Sequence, residues 1–492
     1  MLDELNLNRR KLFQDFKVSE LGERFARLQR ICESMDIPIL IIVDGWESSG
    51  KGYVINDLVR ELNPKFYDVE VFERISGEDL EYPFMRKFWI YTPKKGHVKV
   101  FDRSFYYELM DNINIDGREL SKKIDSIKGI EKILYDDKTI ILKFFLDVSK
   151  EVQKDRINEM KNSELRSFYI DVHDIDQNEN YKSYRKHFEH ILQLTNFKYA
   201  PWHIINSDDK KAASKEALGV VIEEVQKGIE RVATQRENGI RIHRDYVADK
   251  KILDNINLGK NILAEDYSQL ENLQREVSEI FIKYHNRSIP IVLVFEGVDA
   301  AGKDGAISRL IRHVDPRLYK VHAISAPNEG ENARNYLWRF YTKIPKDGYA
   351  SIFSRSWYGR VMVERVEGFA TLREWERAYG EMLEMERQIY SHGGLVIKFF
   401  VAIDKDTQLE RFEDREIEPD KQYKITDEDW RNRDKWDEYI EAMNEMLDRT
   451  NVDFAPWIIV EGNNKNFARI KVIKEFLRLA KKHLAEYEKN NS

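Results

Sequence analysis

Short apolar runs alternate along the chain with longer stretches in which apolar residues recur at helical spacing. In the C-terminal half, the run 289–295 is rich in β-branched residues and ends at a glycine-rich turn, as a buried parallel strand does. The same pattern predicts strands at 321–324, 350–353, 395–403 and 458–460, and helices at 306–313, 332–341 and 372–392. Strands that alternate with helices predict an α/β fold, in which helices cover both faces of a parallel sheet.

The N-terminal half repeats this pattern. Its strands are predicted at 37–43, 69–72, 98–101, 140–146 and 203–205. The glycine-rich turns begin at Gly45 and Gly297, an offset of 252 residues, and Arg103-Ser104 recurs at that offset as Arg355-Ser356. After a three-residue insertion the offset becomes 255, which pairs residues 200–202 with 455–457. Each repeat therefore has the size of a whole domain rather than of a solenoid unit.

We predict two tandem P-loop kinase-like domains, residues 1–238 and 239–492. Each is expected to contain a parallel sheet with helices on both faces and a helical lid. The boundary is placed near Gly239 because residues 232–252 are charged and polar.

Composition narrows the choice of function. The formal net charge of the 492-residue chain is −7, so a polyanionic ligand needs a local cluster of Lys and Arg, and no nucleic-acid partner is expected. The single cysteine, Cys32, excludes an internal disulfide and suits a reducing compartment. No apolar run approaches a membrane span and no signal-peptide core is present, so we expect a cytoplasmic protein without a membrane partner. Homo-oligomer formation stays open.

The turn that starts at Gly297 has the Gly-x4-Gly-Lys spacing of a P-loop. Such a turn curls backbone N–H groups round a phosphate, and the following helix adds its positive end. The candidate phosphate-binding residues are Gly297, Ala300, Ala301, Gly302, Lys303, Asp304 and Gly305. Asp304 replaces the usual Ser or Thr, so Mg²⁺ needs another ligand, and Asp299 is the nearest carboxylate. The alternative is a turn that binds no ligand. It is weakened because the N-terminal repeat has a similar turn after its first strand, which keeps Lys51 but has Glu47 in place of Asp299.

Two further segments carry candidate cations. The block 353–369 contains Arg355, Arg360 and Arg365, and on a helix that starts near Ser356, Arg360 and Glu364 share a face. An exposed helix whose Arg and Glu pair is the alternative, although the block begins at a strand end where ligand sites of α/β sheets gather. The segment 427–436 is interpreted as a lid helix or as an ordinary exposed helix. The candidate lid residues are Glu364, Arg415, Arg431, Arg433 and Lys435.

Four segments together resemble the polyphosphate kinase 2 family: DAAGKDGAI, RSWYGRVMVERVEGF, ITDEDWRNRDKWDEY and FAPW. The tandem arrangement is similar to its two-domain branch, whose members transfer phosphate from polyphosphate to AMP. The resemblance implies a turn that binds phosphates, an arginine-rich lid over a polyphosphate channel, and Mg²⁺ as cofactor. Catalytic roles then fall on Asp299, Lys303, Arg355, Arg360 and Arg365, with Asp299 also as metal ligand.

One position departs from the family pattern. Many members carry Asp before the Arg-Ser pair, where this chain has Ser354, whereas the first repeat has Asp102. Metal binding in the second repeat is therefore expected to rest on Asp299, phosphate oxygens and water, which Mg²⁺ tolerates.

The first repeat has lost cations that the second retains. Glu108, Ile113 and Met160 stand where the second repeat has Arg360, Arg365 and Arg415. Phosphoryl transfer depends on cations placed to match developing charge, so the first repeat is predicted to be inactive.

The predicted function is transfer of the terminal phosphoryl group of polyphosphate to AMP, which gives ADP. ADP or other nucleotides are alternative acceptors, and an ATP-dependent nucleotide kinase is an alternative enzyme, disfavoured by the missing Ser or Thr after Lys303. A protein that binds nucleotide or polyphosphate without turnover is the non-enzymatic alternative.

Overall fold

The computed structural model describes residues 1–2, 12–164, 170, 172–237, 246, 251–261, 268–420, 422 and 425–491. These residues form two compact units. Unit 1 takes in residues 1–76, 87–241 and 329–335, and unit 2 takes in residues 77–86, 242–328 and 336–492. The predicted boundary at 238/239 lies outside the described residues. Among the helices described, none is long and apolar enough to span a membrane.

Unit 1 contains a five-stranded parallel sheet in the order β2-β3-β1-β4-β5. Its strands are β1 Ile39–Gly45, β2 Tyr67–Val71, β3 Val98–Asp102, β4 Ile140–Asp147 and β5 Trp202–Asn206. The helices of this part of the chain are α1 Val18–Ser34, α2 Lys51–Val59, α3 Arg86–Trp89, α4 Tyr107–Met110, α5 Gly117–Asp136, α6 Lys150–Lys161, α7 Val172–Glu179, α8 Tyr181–Leu194 and α9 Lys210–Glu237.

Unit 2 contains the same sheet, in the order β7-β8-β6-β9-β10. Its strands are β6 Ile291–Gly297, β7 Tyr319–Ala323, β8 Ala350–Ser354, β9 Leu395–Ala402 and β10 Trp457–Glu461. The helices of the C-terminal half of the chain are α10 Leu270–Asn286, α11 Lys303–Leu310, α12 Glu329–Asn332, α13 Trp338–Tyr341, α14 Val363–Val366, α15 Leu372–Ser391, α16 Lys405–Ile417, α17 Asp427–Asp434, α18 Trp436–Thr450 and α19 Lys465–Asn491, of which α12 belongs to unit 1. The predicted α/β fold with two parallel sheets is confirmed.

Burial on both faces of the sheet explains why the inner strands read as continuous apolar runs, whereas the edge strands β2 and β7 are partly exposed and mix polar with apolar residues. In β1, Ile39, Ile41 and Val43 belong to a core that also contains side chains of α1 and α9, while Leu40 and Ile42 on the other face are equally buried. All five predicted strands of each repeat are present, with bounds shifted by at most two residues. A strand covered on both sides cannot alternate polar and apolar residues, so its sequence is recognisable.

Two helix predictions are wrong in detail. The predicted helix 332–341 is two four-residue helices, α12 and α13, with a gap between them. The predicted helix from Ser356 is a 3-10 helix, Trp357–Val361, followed by α14, and Met362 between them has non-helical backbone angles of −112° and −96°. Trp357 is fully buried and its Nε1 donates to Glu386 at 3.0 Å. Tertiary contacts of this kind override the local helical pattern.

A buried polar cluster ties the sheet of unit 2 to its helices. The Lys398 ammonium of β9 donates to Glu386 Oε2 at 2.8 Å, to the Tyr358 hydroxyl at 2.9 Å and to the Thr450 carbonyl at 2.8 Å. Lys398 and Glu386 have no exposed side-chain surface. Unit 1 repeats the cluster with Lys143, whose ammonium contacts the equivalent Glu131, Tyr106 and Thr195.

Glu386→Gln is expected to destabilise unit 2 by about 3–5 kcal/mol, because it leaves the Lys398 charge buried without its carboxylate. Calorimetric unfolding measures the loss. Glu271→Gln is the matched control, since it breaks the Glu271–Arg275 pair whose side chains are both 65% exposed, and such pairs contribute about 0–1 kcal/mol. Equal losses in the two variants would contradict the prediction.

Asp44, near the end of β1, makes the stability of unit 1 depend on pH. Its side chain is buried, its Oδ2 accepts a hydrogen bond from Ser104 at 2.5 Å, and its Oδ1 finds no hydrogen-bond partner among the described residues. Burial raises the pKa of Asp44 to about 7. The unfolded chain releases this proton near pH 4, about 3 units earlier, so ionisation costs stability in the folded state.

The free energy of unfolding of unit 1 is therefore expected to fall as the pH rises from about 4 to about 7 and to level off above that. Asp44→Asn removes the titrating group and should flatten this part of the curve. Urea unfolding of both proteins between pH 4 and 8 tests the prediction, and parallel curves would refute it.

Candidate functional site

The phosphate turn of unit 2 leaves the sheet at the carboxyl end of β6 and enters α11. Its first glycine is required by packing, because a Cβ on Gly297 would lie 2.1 Å from the Val401 carbonyl oxygen of the neighbouring strand, and its φ is 138°. Ala300 and Gly302 also have positive φ, of 59° and 101°. The N–H groups of the first turn of α11 have no acceptor within the helix, so they and the positive helix end favour an anion.

Lys303 folds back across this turn. Its ammonium donates to the carbonyl oxygens of Gly297 at 2.8 Å and Val298 at 3.1 Å. Burial lowers the pKa of Lys303, and the Asp299 carboxylate opposes that shift. The predicted phosphate-binding residues are therefore brought together in one loop, with the lysine charge held at its centre.

Asp299 lies between the loop and two other elements. Its Oδ1 accepts from Arg355 Nη2 at 2.8 Å, and its Oδ2 accepts from Asn432 Nδ2 at 2.9 Å. Burial alone would raise the pKa of Asp299, but the charges of Lys303 and Arg355 outweigh it and lower the pKa below its ordinary value. The carboxylate is thus ionised at neutral pH.

Arg355 reaches Asp299 because the chain turns sharply after β8. Arg355 has a φ of 62°, and its N–H donates to the Phe295 carbonyl of β6 at 3.0 Å. The Arg355 side chain is 48% exposed and lines the same cleft as Asp299. This backbone conformation is rare for a residue with a side chain, and Arg103 repeats it in unit 1 with a φ of 61°.

Helix α17 is held over the loop by a chain of hydrogen bonds. The Tyr439 hydroxyl donates to Asn432 Oδ1 at 3.0 Å, and Lys435 pairs with Glu367 at 3.1 Å. Arg433 donates to the Lys405 carbonyl at 2.6 Å. Most of the segment 427–436 is therefore helical, while Arg433 and Lys435 are bound to protein groups.

A cleft opens between the loop and these helices, with about 590 Å³ of empty space when open solvent is included. Its lining combines apolar residues with charged and amide residues. The apolar residues are Val298, Met362, Val363, Trp436 and Met443, and the charged and amide residues are Glu296, Asp299, Arg355, Gln408, Glu428 and Asn432.

Other predicted cations make different contacts. Arg365 pairs with the buried Glu445 at 2.7 Å and stacks over Trp375 at 4.2 Å, and neither partner lines the cleft. Arg360 pairs with Glu364 at 2.9 Å and lies over the Tyr336 ring. The pairing that the sequence left as an alternative is therefore present, although only 16% of the Arg360 side chain is exposed.

The two remaining lid candidates lie towards solvent. Arg431 is exposed on α17, and Arg415 is partly buried with its guanidinium 6.0 Å from the Phe412 ring centroid. Neither lines the cleft.

The donor set for a metal ion is small. Among the described residues, no group of three or more His, Cys, Asp or Glu side chains is placed to hold one. Asp299 offers an ionised carboxylate at the loop, and Ser354 donates to Asp304 Oδ1 at 2.7 Å, so a second carboxylate stands beside the serine that departs from the family pattern. These groups fit Mg²⁺, which often takes one or two carboxylates and completes its shell with phosphate oxygens and water.

Several residues of the site were missed in the sequence. Asn432 orients Asp299, and Gln408 and Arg411 of α16 bind the carbonyls of the loop, Gln408 to Asp299 at 3.2 Å. A signal for two of them was present, because Gln153 and Arg156 recur as Gln408 and Arg411 at the 255 offset. These two residue types are the same in both repeats, so differences between the repeats do not reveal them.

Unit 1 fills the corresponding space with its own side chains. Trp46, at the position of Val298, stacks on Tyr181 with ring centroids 4.1 Å apart and meets Phe188 edge-on at 4.7 Å. Tyr181 and Phe188 correspond at the 255 offset to Trp436 and Met443, which line the cleft of unit 2. The indole thus lies where unit 2 has open space.

The charges of the unit 1 loop are also satisfied internally. Glu47 accepts from Arg103 at 3.0 Å and from Lys51 at 3.3 Å, and its N–H donates to Gln177 at 2.8 Å. Burial raises the pKa of Glu47, but the two cations outweigh it and lower the pKa overall. A carboxylate of the protein therefore takes the contacts that an anionic ligand would need.

Comparison with known proteins identifies the family. A model of the family described as polyphosphate kinase 2 matches residues 9–232 and 261–488. The chain belongs to the polyphosphate kinase 2 family. It is 37% identical over 467 residues to a polyphosphate:AMP phosphotransferase of Pseudomonas aeruginosa, with 93% of each chain covered. It is 33% identical over 448 residues to a polyphosphate:AMP phosphotransferase of Acinetobacter johnsonii, covering 90% of this chain and 91% of that one.

A solved structure supports the same assignment. A crystal structure from Pseudomonas aeruginosa PA01, assigned to polyphosphate kinase 2, superposes with a TM-score of 0.81 at 34% identity and covers 98% of this chain and 97% of the other. Membership of the polyphosphate kinase 2 family makes the chain a phosphotransferase, and the predicted resemblance is confirmed across both repeats.

Proposed function

We propose that this enzyme transfers the terminal phosphoryl group of polyphosphate to AMP and releases ADP. The observation that carries the proposal is the cluster of Asp299, Lys303 and Arg355 in unit 2, of which Asp299 and Arg355 line an open cleft. The names of the relatives that match nearly the whole chain support the same donor and acceptor.

The donor is assigned to the phosphate turn. Its terminal phosphates would accept hydrogen bonds from the N–H groups of the loop and of the first turn of α11. Lys303, now bound to the Gly297 and Val298 carbonyls, would turn its ammonium towards the phosphate oxygens. Arg355, which is nearly half exposed, would neutralise charge on the leaving chain.

The acceptor is assigned to the cleft. The adenine ring of AMP would contact apolar lining residues such as Trp436 and Met362, and the AMP phosphate would face Arg355. An oxygen of that phosphate attacks the terminal phosphorus in line, the bond from phosphorus to the bridging oxygen breaks, and the shortened polyphosphate leaves with the electron pair. Asp299, ionised and held by Asn432, orients the reacting groups.

Mg²⁺ is the proposed cofactor, with Asp299 as its protein ligand and phosphate oxygens and water completing its shell. When bound, it supplies positive charge to the phosphate oxygens.

Unit 1 is proposed to be catalytically inactive, within a domain that ends near residue 238. Trp46 occupies the space of the acceptor, and Glu47 holds both Lys51 and Arg103. Arg360 and Arg365 of unit 2 are proposed to shape the block after β8, and the lid role of Arg415, Arg431, Arg433 and Lys435 is kept as a proposal for the polyphosphate path.

Lys303→Ala is expected to lower kcat/KM for ADP formation by about 100-fold or more, because it removes a cation matched to the moving charge. Lys51→Ala, at the same position of unit 1, should retain wild-type activity. ADP production from polyphosphate, AMP and Mg²⁺ measures both. If Lys51→Ala lost as much activity as Lys303→Ala, the assignment of catalysis to unit 2 would fail, and if the wild-type protein made no product with polyphosphate but did with ATP, the donor would be wrong.

Val298→Trp should transplant the indole of unit 1 into the cleft and lower kcat/KM for AMP by at least about tenfold. The fold tolerates this residue, since unit 1 carries Trp46 there in a buried stack. Trp46→Val is the reciprocal control and should leave activity unchanged at temperatures where unit 1 is folded. If Val298→Trp had wild-type kinetics and an unchanged unfolding temperature, the assignment of AMP to the cleft would be wrong.

A further inference from the structure

Arg411 of α16 binds the phosphate loop from behind. Its Nη1 donates to the carbonyl oxygens of Ala300 at 2.9 Å and Ala301 at 3.1 Å. Its Nη2 donates to the carbonyl oxygens of Gly462 at 2.8 Å and Asn463 at 2.9 Å, in the turn after β10. One side chain thus joins the phosphate loop to a second loop of the same unit.

Arg411 is an unusual group to bury. The residue is 6% exposed, and a guanidinium keeps its charge under all physiological conditions. These four hydrogen bonds of the Arg411 guanidinium go to main-chain carbonyls rather than to a carboxylate. Burying a charge is costly unless its donors are satisfied, and four carbonyl acceptors in a fixed fork meet that need.

The contact constrains the side of the loop that faces a ligand. In a planar trans peptide, the C=O and N–H groups point in opposite directions. Arg411 holds the carbonyls of Ala300 and Ala301, and Gln408 holds that of Asp299 at 3.2 Å, so three successive carbonyls turn towards α16. The N–H groups of the same peptide units turn away from α16. The Ala301 N–H closes the turn onto the Val298 carbonyl at 3.2 Å, which leaves those of Ala300 and Gly302 for a ligand.

We propose that Arg411 is a positioning residue for the donor: it fixes the direction of the loop N–H groups and adds positive charge behind them, without touching the substrate. This inference rests on the proposed function, in which the loop binds polyphosphate. It predicts an effect on the donor and not on the acceptor, whose cleft Arg411 does not line.

The chain contains its own control for this idea. Arg156 in unit 1 makes the same contacts, to Ser49 at 2.8 Å, Ser207 at 2.6 Å and Asp208 at 2.9 Å. It is 8% exposed, close to Arg411. Its loss removes an equivalent structural contact from a loop to which no substrate is assigned.

The test compares Arg411→Met with Arg156→Met. Both should lower the unfolding temperature of their own unit to a similar degree. Arg411→Met should raise the KM for polyphosphate by about tenfold or more, with the KM for AMP within about twofold of wild type, because charge-assisted hydrogen bonds orient the loop. Arg156→Met should show wild-type kinetics. The affinity for inorganic tripolyphosphate, measured by titration calorimetry without AMP, should fall in Arg411→Met and not in Arg156→Met.

Arg411→Lys separates charge from geometry, since it keeps the charge and loses the planar fork. Its KM for polyphosphate should lie between those of wild type and Arg411→Met. If Arg411→Met does not fold, Arg411→Lys carries the test, with Arg156→Lys as the matched control.

The proposal is overturned if the Arg411 and Arg156 variants have the same kinetics, or if Arg411→Met weakens polyphosphate and AMP equally. A wild-type protein that binds tripolyphosphate but makes no ADP would overturn the proposed function instead, and the binding comparison would still decide the role of Arg411.

Discussion

The site of unit 2 depends on the close packing of one strand between two parallel neighbours. β6 is hydrogen-bonded to β8 on one side and β9 on the other, so at its carboxyl end the chain has room for no side chain next to the Val401 carbonyl. Only a glycine with positive φ fits there, and the turn that follows has to reverse direction at once. That reversal starts the phosphate loop, and the adjacent end of β8 delivers Arg355 to the same point.

Charge in the site is arranged by the direction of main-chain groups as much as by side chains. Carbonyls of the loop are held by Lys303 at its centre and by Arg411 and Gln408 behind it. Asp299 carries the only carboxylate of the loop before α11, and its two oxygens accept hydrogen bonds from Arg355 and Asn432. The loop therefore presents N–H dipoles and the Arg355 charge to a phosphate, although Glu296 and Glu428 also line the cleft and the chain as a whole carries a formal charge of −7.

The two units show how one scaffold is opened or closed by few substitutions. The sheet, the buried Lys–Glu–Tyr cluster and the arginine behind the loop are the same in both. Val298 leaves space beside Trp436, whereas Trp46 fills the equivalent space against Tyr181. Glu47 has one methylene more than Asp299 and reaches both Lys51 and Arg103. In unit 1 the loop lysine and Arg103 thus share one carboxylate, whereas in unit 2 Lys303 is bound to carbonyl oxygens and Arg355 to Asp299.

The sequence alone determined the strands, the two repeats and the glycine-rich turn, because burial on both faces leaves continuous apolar runs in the inner strands and a turn against a neighbouring strand requires glycine. Its resemblance to the family also singled out Asp299, Lys303 and Arg355 as catalytic candidates. Only the tertiary structure decided which other cations face the cleft: Arg365 is bound to buried Glu445, while Asn432 and Arg411 hold the site in place. The helix predicted after β8 is not continuous for the same reason, since buried Trp357 is bound to Glu386. A side chain's direction depends on partners far along the chain, and local spacing carries no record of them.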